Sequence, residues 1–355
     1  MSLKELKEYH QRNGAKLAAD GIPLHYGDLL AEYHAGLTTA IILDRSHEGR
    51  IQLFGKDRFE LLNRMSTNKM VDMAANEGRA TIFTNAHARI IDRIVAYNRD
   101  DHLLIITEPG RGQAVTQFLQ RNIFFNDDAR PVDITSHTTQ FAIHGAQADA
   151  IIAAFNPDAA NISSLQGIEM ALADATIYAA KRKSVCGEHW LILSSANNAE
   201  AVYDAILQVG QSHGLIPAGS LTYNTLRIRA GRPARPELNT DYIPLEVGLW
   251  DEVNFEKGCY TGQEIIARME SRAKLAKTIV ALEMQEFVPA PAEIKQSGRN
   301  IGKLTSSVQA PTGDIFAIAI IKTQAAEKGT PLTVGGTNCS ATVKGLVGEQ
   351  PDYII

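Results

Sequence analysis

The segment 257–264, Lys-Gly-Cys-Tyr-Thr-Gly-Gln-Glu, brings an amine, a thiol, a phenol and a carboxylate together in the chain. Gly258 and Gly262 permit a tight turn or a close approach of the backbone to a ligand. The sequence after Gly262 favours a helix, so Cys259 is expected near a helix N-terminus and two residues from Lys257. Both features favour a thiolate, which makes Cys259 and Lys257 candidate catalytic residues. The alternative is a small buried cysteine in a tight turn.

Arginine is concentrated at positions 227, 229, 232 and 235 of a chain that is otherwise acidic. Guanidinium groups bind carboxylates through two parallel hydrogen bonds, so these residues suit an anionic ligand tail such as a glutamate. Internal salt bridges are an equally good explanation. Arg227 and Arg229 are therefore candidates for ligand binding, and Arg227 fits either role.

Two carboxylates lie in apolar surroundings. Glu246, in Tyr-Ile-Pro-Leu-Glu-Val-Gly-Leu-Trp, could accept hydrogen bonds from the N–H groups of a heterocycle, or it could cap a helix or pair with an arginine. Asp92 lies in Ile-Ile-Asp-Arg-Ile-Val, which alternates as a strand does. An Asp followed by an Arg is usually a solvated pair, so Asp92 is a weak candidate by itself.

Composition excludes several classes of function. The chain has 355 residues, 45% hydrophobic and 21% charged, with a net charge of −5. These values predict a globular protein of two or three domains and argue against broad nucleic-acid binding. No secretory h-region and no run of about 18 apolar residues occurs, so we expect no membrane span and a cytoplasmic protein with reduced thiols.

Common catalytic and cofactor motifs are missing from the sequence. It has no GxGxxG after a strand, no GxxxxGK[ST], no HExxH and no GxSxG. The three cysteines, Cys186, Cys259 and Cys339, lie far apart and have no metal-ligand spacing, so no metal site is expected.

The hydrophobic pattern predicts an α+β protein. The stretch 48–133 alternates short strands with helices at 57–65 and 112–120, as in an α+β unit with an antiparallel sheet. The pattern restarts near residue 138. After residue 277 five short β runs follow, separated by Gly and Pro, which is typical of a small barrel or sandwich.

The segment 257–264 resembles the K-G-C-Y-x-G-Q-E signature of YgfZ-type folate-binding proteins, which are similar to the T-protein of the glycine cleavage system, a tetrahydrofolate-dependent aminomethyltransferase. Other segments resemble the T-protein in the same order along the chain. They are 43–49 (D-x-S-H-x-G), the pair Thr67-Asn68, 90–93 (G-x-I-D-D) and 244–249 (P-x-E-x-G-L).

The resemblance implies a three-domain cloverleaf around a folate channel. Residues 1–47 and 134–250 would form a discontinuous first domain that binds the folate. Residues 48–133 would form a ferredoxin-like inserted domain and 277–355 a C-terminal β-barrel, with 251–276 as connecting motif and helix. The cofactor would be tetrahydrofolate or a one-carbon derivative. Tyr260, Gln263, Thr67 and Asn68 would be further cofactor-binding residues beside Glu246.

Two departures from the T-protein bear on activity. The second Asp of I-D-D, which is tied to catalysis, is Arg93 here, and only Asp92 is retained. The G-F-E-L segment, whose Glu contacts the pterin, corresponds to His-Trp-Leu-Ile at 189–192, without an acid. Arginine has donors only and cannot replace a carboxylate as acceptor.

Three functions are therefore considered. The first is a YgfZ-like protein that binds tetrahydrofolate and supports assembly or repair of iron–sulfur client proteins through Cys259. The second is an aminomethyltransferase that acts on a lipoyl carrier protein. The third is a folate-channel module without chemistry.

Overall fold

The computed structural model describes residues 3–271, 275–336 and 339–350. The helices in this part of the chain are α1 (Leu3–Arg12), α2 (Leu29–Thr38), α3 (Arg58–Met65), α4 (Gly112–Arg121), α5 (Ala148–Ala153), α6 (Ala199–Gly210), α7 (Ser220–Arg229) and α8 (Gln263–Ser271). The strands are β1 (Lys16–Leu17), β2 (Pro23–His25), β3 (Ala40–Asp44), β4 (Glu48–Phe54), β5 (Gly78–Thr84), β6 (Ile90–Asn98), β7 (Leu103–Pro109), β8 (Arg130–Asp133), β9 (Thr138–Gly145), β10 (Gly167–Leu172), β11 (Ala175–Lys181), β12 (Glu188–Ser195), β13 (Leu215–Pro217), β14 (Lys277–Met284), β15 (Ala292–Gln296), β16 (Arg299–Gln309), β17 (Ile315–Lys322), β18 (Pro331–Val334) and β19 (Cys339–Leu346).

The chain divides into two compact units. The first comprises Met1–Leu61, Met70–Arg79 and Ile94–Leu226, and the second comprises Leu62–Lys69, Ala80–Arg93 and Arg227–Ile355. The three-domain boundaries implied by the resemblance stay a prediction.

A six-stranded sheet organises the first unit, in the order β10-β11-β12-β9-β3-β13. Its pairs are antiparallel except β13 with β3, which is parallel. One buried cluster joins the sheet to α1, α5 and α6, and it includes Trp190, Ile151 and Val202. The sequence did not predict β3, because all five of its residues are buried and the strand lacks an apolar–polar alternation.

A five-stranded sheet has the order β5-β6-β7-β4-β8. The turn between β5 and β6 belongs to the second unit. There Asn85 Oδ1 accepts hydrogen bonds from the backbone N–H groups of His87 and Arg89, at 2.9 and 3.0 Å, and Ala88 adopts a positive φ of 58°. This tight turn fixes the backbone of Arg89 just before β6 begins.

A closed barrel ends the chain, in the strand order β14-β17-β16-β15-β18-β19. Its core contains Val280, Leu282, Leu304 and Ile321. Five of the six strands were expected from the sequence. β15 was missed because it has a single fully buried apolar residue, Ile294, so it carries too little hydrophobic periodicity.

The predicted fold class is confirmed as α+β, with antiparallel sheets and a C-terminal β-barrel. Within the described ranges, no helix has the length and apolar character needed to cross a bilayer.

Candidate functional site

Lys257 anchors the segment 257–264. Its Nζ donates hydrogen bonds to three backbone carbonyl oxygens, those of Asn63, Ser66 and Asn68, at 2.5, 2.7 and 2.7 Å. Burial lowers the pKa of Lys257 to about 7. The three carbonyls oppose this, because an ammonium donates three hydrogen bonds and a neutral amine only two. The side chain therefore ties this segment to the end of α3 and the residues that follow it.

The same segment closes on itself at its other end. Gln263 Nε2 donates to the carbonyl oxygen of Lys257 at 3.3 Å. Gly262 has a φ of +86°, and a Cβ at this position would lie 2.7 Å from the carbonyl oxygen of Asn85. Both the backbone conformation and this close approach require glycine. Residues 257–263 thus form a closed loop that packs against the β5–β6 turn.

Cys259 lies in this loop and is exposed, so the alternative of a buried structural cysteine is excluded. Helix α8 begins four residues later, at Gln263, as the sequence predicted. Tyr260 points inward and packs with Ile243 and Ile266 in a buried cluster. Burial raises the pKa of Tyr260 to about 12, so its phenol stays protonated at neutral pH. The loop therefore buries its amine and its phenol and leaves its thiol exposed.

A cavity of about 460 Å³ lies within the second unit. This volume falls in the range of about 300–1,000 Å³ that is usual for small-molecule sites. The β5–β6 turn, the segment around Glu246, and α8 with the residues after it line the cavity. The lining residues are Asn85, His87, Arg89, Ile243, Glu246, Ile265, Met269, Leu275 and Ala276. Since Ile265 and Met269 belong to α8, one wall of the cavity is the helix that follows Cys259.

Glu246 is the buried charge of this cavity, with 6% of its surface exposed. It lies on the short 3-10 helix Pro244–Val247. Its Oε2 accepts the backbone N–H of Ile243 at 3.1 Å and the Nη1 of Arg89 at 3.3 Å. Burial raises the pKa of Glu246 above its ordinary value, and these two donors oppose the shift. No donor among the described residues reaches Oε1.

Arg93 is locked in a buried ion pair. Its Nε and Nη2 bind the carboxylate of Glu252, with Nε–oxygen distances of 2.9 and 2.8 Å. The exposed fractions of the two side chains are 7% and 2%. Asp92 is also buried, on β6. Its predicted catalytic role stays a prediction.

The side chains of Thr67 and Asn68 donate hydrogen bonds to backbone carbonyl oxygens. The hydroxyl of Thr67, which is fully buried, donates to the carbonyl oxygen of Glu252 at 2.8 Å. Asn68 Nδ2 donates to the carbonyl oxygen of Ala80 at 2.9 Å, and the Asn68 carbonyl is one of the acceptors of Lys257. Contacts of these two residues with a cofactor stay a prediction.

The arginine-rich segment separates into a buried and an exposed part. Arg227 is buried, with Nη1 3.5 Å from Glu237 and Nη2 3.1 Å from the hydroxyl of Ser306, which itself donates to Glu237. Arg227 therefore has the internal salt bridge that was one of the two explanations. Arg229, at the end of α7, is exposed. A ligand for either arginine stays a prediction.

Sequence reasoning missed Arg89 and Glu252. The sequence offers one clue to Arg89, which is its position just before the strand that contains the candidate Asp92. Glu252 carries none, because its partner Arg93 is 159 residues away in the chain. Across the part of the chain that the structure covers, no three His, Cys, Asp or Glu side chains are grouped as a metal site would require.

Two known protein domains match the sequence of this chain. The GCVT N-terminal domain matches residues 6–257, and the CAF17 C-terminal β-barrel domain matches residues 277–347. The chain belongs to the GCVT family. Its predicted membership, of the type that combines this domain with a CAF17 barrel, is confirmed. The loop 257–263 and α8 lie at and beyond the end of the GCVT match, before the barrel begins.

Two named proteins are similar over most of the chain. "Putative transferase At1g60990, chloroplastic" of Arabidopsis thaliana is 30% identical over 342 residues, which cover 96% of this chain and 77% of the relative. An aminomethyltransferase of Bacillus subtilis is 26% identical over 328 residues, or 88% of each chain.

A solved structure has the same fold. The crystal structure of glycine cleavage system aminomethyltransferase T from Bartonella henselae matches with a TM-score of 0.85 at 20% identity. The match covers 99% of this chain and 97% of that one.

Replacing Lys257 by Met should destabilise the second unit. The change leaves three carbonyl oxygens, in one buried and two part-buried hydrogen bonds, without this donor, so we expect the free energy of unfolding to fall by about 3 kcal/mol. Urea denaturation at pH 7 measures this. Lys56→Met, at an exposed lysine, is the control and should change stability by less than about 0.5 kcal/mol. Equal stability of the two variants would contradict the anchoring role.

Proposed function

We propose that this protein binds a reduced folate and, through Cys259, supports the assembly or repair of iron–sulfur proteins. The observation that carries the proposal is the construction of the loop 257–263. Its lysine, second glycine and glutamine hold the loop in place, and its tyrosine is buried. Only the thiol among its reactive groups is presented to solvent. A loop built in this way displays a cysteine for reaction with another molecule.

The residues of the cavity fit the heterocycle of a reduced folate. A pterin carries N–H and amino donors on one edge, and the buried carboxylate of Glu246 offers a free acceptor, Oε1. Ile243, Ile265, Met269 and Leu275 supply apolar contacts for a flat ring. When bound, tetrahydrofolate would supply a carrier for a one-carbon unit.

Helix α8 links the cavity to the thiol. Ile265 and Met269 line the cavity, and Gly262, just before the helix, lies against the β5–β6 turn, which also contributes to the lining. A ligand that contacts α8 or the β5–β6 turn therefore contacts an element that adjoins the loop holding Cys259. This connection supports a protein in which the folate regulates or positions the thiol.

The iron–sulfur role rests on the resemblance of 257–264 to the YgfZ-type signature. Three free cysteines, one exposed, one half-buried and one buried, do not form a ligand set for a cluster of this chain's own. A cluster would then belong to a client protein. The expected cytoplasmic location is part of the same proposal.

Aminomethyl transfer is the second candidate, since relatives such as the Bacillus subtilis protein carry that name. The ion pair of Arg93 with Glu252 speaks against it. A guanidinium already bound to a carboxylate cannot serve as the acceptor that the I-D-D aspartate provides. We therefore favour the YgfZ-like function.

Cys259→Ala should abolish function in cells and leave the fold and folate binding intact, because the thiol is exposed and supports no other residue. The measurement is rescue of the activity of iron–sulfur enzymes in a deletion strain, together with folate affinity of the purified variant. Cys186→Ala is the matched control and should rescue. Full rescue by Cys259→Ala would refute the role of the thiol and favour a module without chemistry.

Glu246→Gln should weaken tetrahydrofolate binding by about tenfold or more, since a hydrogen bond to a charged acceptor is worth about 1.5–3 kcal/mol. Because burial raises the pKa of Glu246, wild-type affinity should fall as the pH drops through that raised value, and the variant should lose this dependence. Calorimetry between pH 5 and about 8 measures both. Glu327→Gln, at an exposed position, should bind as the wild type does. An unchanged affinity in Glu246→Gln would place the folate elsewhere.

Transfer from an aminomethylated lipoyl carrier protein to tetrahydrofolate should not be detectable, because Arg93 replaces the catalytic acid. Formation of methylene-tetrahydrofolate at high protein concentration is the measurement, with an aminomethyltransferase such as that of Bacillus subtilis as positive control. Steady turnover would reverse our preference between the two functions.

A further inference from the structure

Arg89 and Glu246 place free donors beside a free acceptor in the wall of the cavity. Arg89 Nη1 is used twice, by the carbonyl oxygen of Asp241 at 2.8 Å and by Glu246 Oε2 at 3.3 Å. Among the described residues, neither Nε nor Nη2 of Arg89 has a hydrogen-bond partner, and neither has Oε1 of Glu246. This ion pair therefore keeps unused hydrogen-bond donors on Arg89 and an unused acceptor on Glu246.

The position of the guanidinium is fixed from both ends. At its base, the backbone N–H of Arg89 donates to Asn85 Oδ1 at 3.0 Å, and the next residue, Ile90, donates to the carbonyl oxygen of Tyr242 at 3.0 Å. At its tip, the carbonyl of Asp241 and the carboxylate of Glu246 hold Nη1. With 38% of the side chain exposed, the group lies at the edge of the cavity and can meet a ligand that enters.

A ligand that uses both groups needs a hydrogen-bond donor next to a hydrogen-bond acceptor on one edge. The lactam edge of a 2-amino-4-oxo pterin has this pattern, because N3–H and the 2-amino group donate and the adjacent O4 accepts. Glu246, as an ionised carboxylate, only accepts, and arginine only donates. The two side chains are thus complementary to this edge when Glu246 faces N3–H and Arg89 faces O4.

We propose that Arg89 is a specificity-determining residue that reads the 4-oxo group of the pterin. The proposal rests on folate binding in this cavity, as proposed above. In a 4-amino pterin, O4 is replaced by a donor and N3 carries no hydrogen. Such a ring would set donor against donor at Arg89 and lose one donor to Glu246. A site that leaves a buried polar group unpaired by the wrong ligand discriminates strongly.

A purely structural Arg89 would behave differently. If the guanidinium served only to neutralise Glu246, its removal would change the affinity for all pterins together, through the charge of the carboxylate. If it reads O4, its removal changes the ratio of the affinities for 4-oxo and 4-amino ligands. The ratio is therefore the quantity that separates the two roles.

The experiment is anaerobic titration calorimetry with tetrahydrofolate and with its 4-amino-4-deoxy analogue. We expect the wild type to bind the 4-oxo ligand at least about tenfold more tightly, and Arg89→Met to lower this preference by about threefold or more, because the part of the preference that Glu246 contributes remains. Arg89→Lys, which keeps a charged donor, should retain part of the preference. Arg121→Met, at an exposed arginine in the last turn of α4, is the control and should keep the wild-type ratio.

The outcomes separate this inference from the proposed function. Equal wild-type affinities for the two ligands, or an unchanged ratio in Arg89→Met, would overturn the role of Arg89 and leave folate binding intact. Binding of neither ligand would overturn both. The wild-type ratio needs no variant, so the inference stays testable even if Arg89→Met does not fold.

Discussion

The site depends on the hydrogen bonds of the buried Lys257 side chain. One side chain satisfies three carbonyl oxygens of the segment that follows α3. Buried carbonyls without donors are costly, so these residues and the loop 257–263 hold each other in place. Gln263 then closes the loop, and Gly262 lets it lie against the β5–β6 turn. An exposed cysteine on a loop is normally mobile; here the loop is held at both of its ends.

The second constraint is the burial of Glu246 in a wall of apolar residues. A carboxylate in this setting is destabilised unless donors reach it, and the protein supplies two, both to Oε2. Among the described residues, no donor reaches the other oxygen. Helix α8 begins at the end of the loop and lines the same cavity as Glu246, so it connects the segment that holds the thiol to the cavity that holds the acceptor. In the proposed function, this arrangement would couple a bound folate to Cys259.

The chain shares its fold with an aminomethyltransferase of known structure. The whole-chain match to a T-protein structure at 20% identity shows that the architecture tolerates extensive substitution. Arg93, at the position where the T-protein resemblance implies an aspartate, is accommodated by Glu252, which pairs with it in a buried contact through two nitrogens. A buried arginine without such a partner would be strongly destabilising. The pair therefore has a structural explanation that does not require a role in transfer.

What the sequence by itself determined was local. Periodicity located most helices and strands, including α3, α4 and five of the six barrel strands. In the helices the apolar residues recur at helical spacing, and in the strands apolar runs are separated by turn residues. It could not locate β3, which is buried on both faces, or β15, which buries one residue.

Motif spacing singled out Lys257, Cys259 and Glu246 as candidates. Only the tertiary structure decided where each one lies and what it contacts. Lys257 binds carbonyl oxygens almost 200 residues away in the chain, Cys259 is exposed, and Glu246 contacts Arg89 at a cavity. These partners are distant in sequence, and hydrogen bonds and ion pairs between them form no pattern along the chain, so the roles of the residues depend on contacts that folding alone creates.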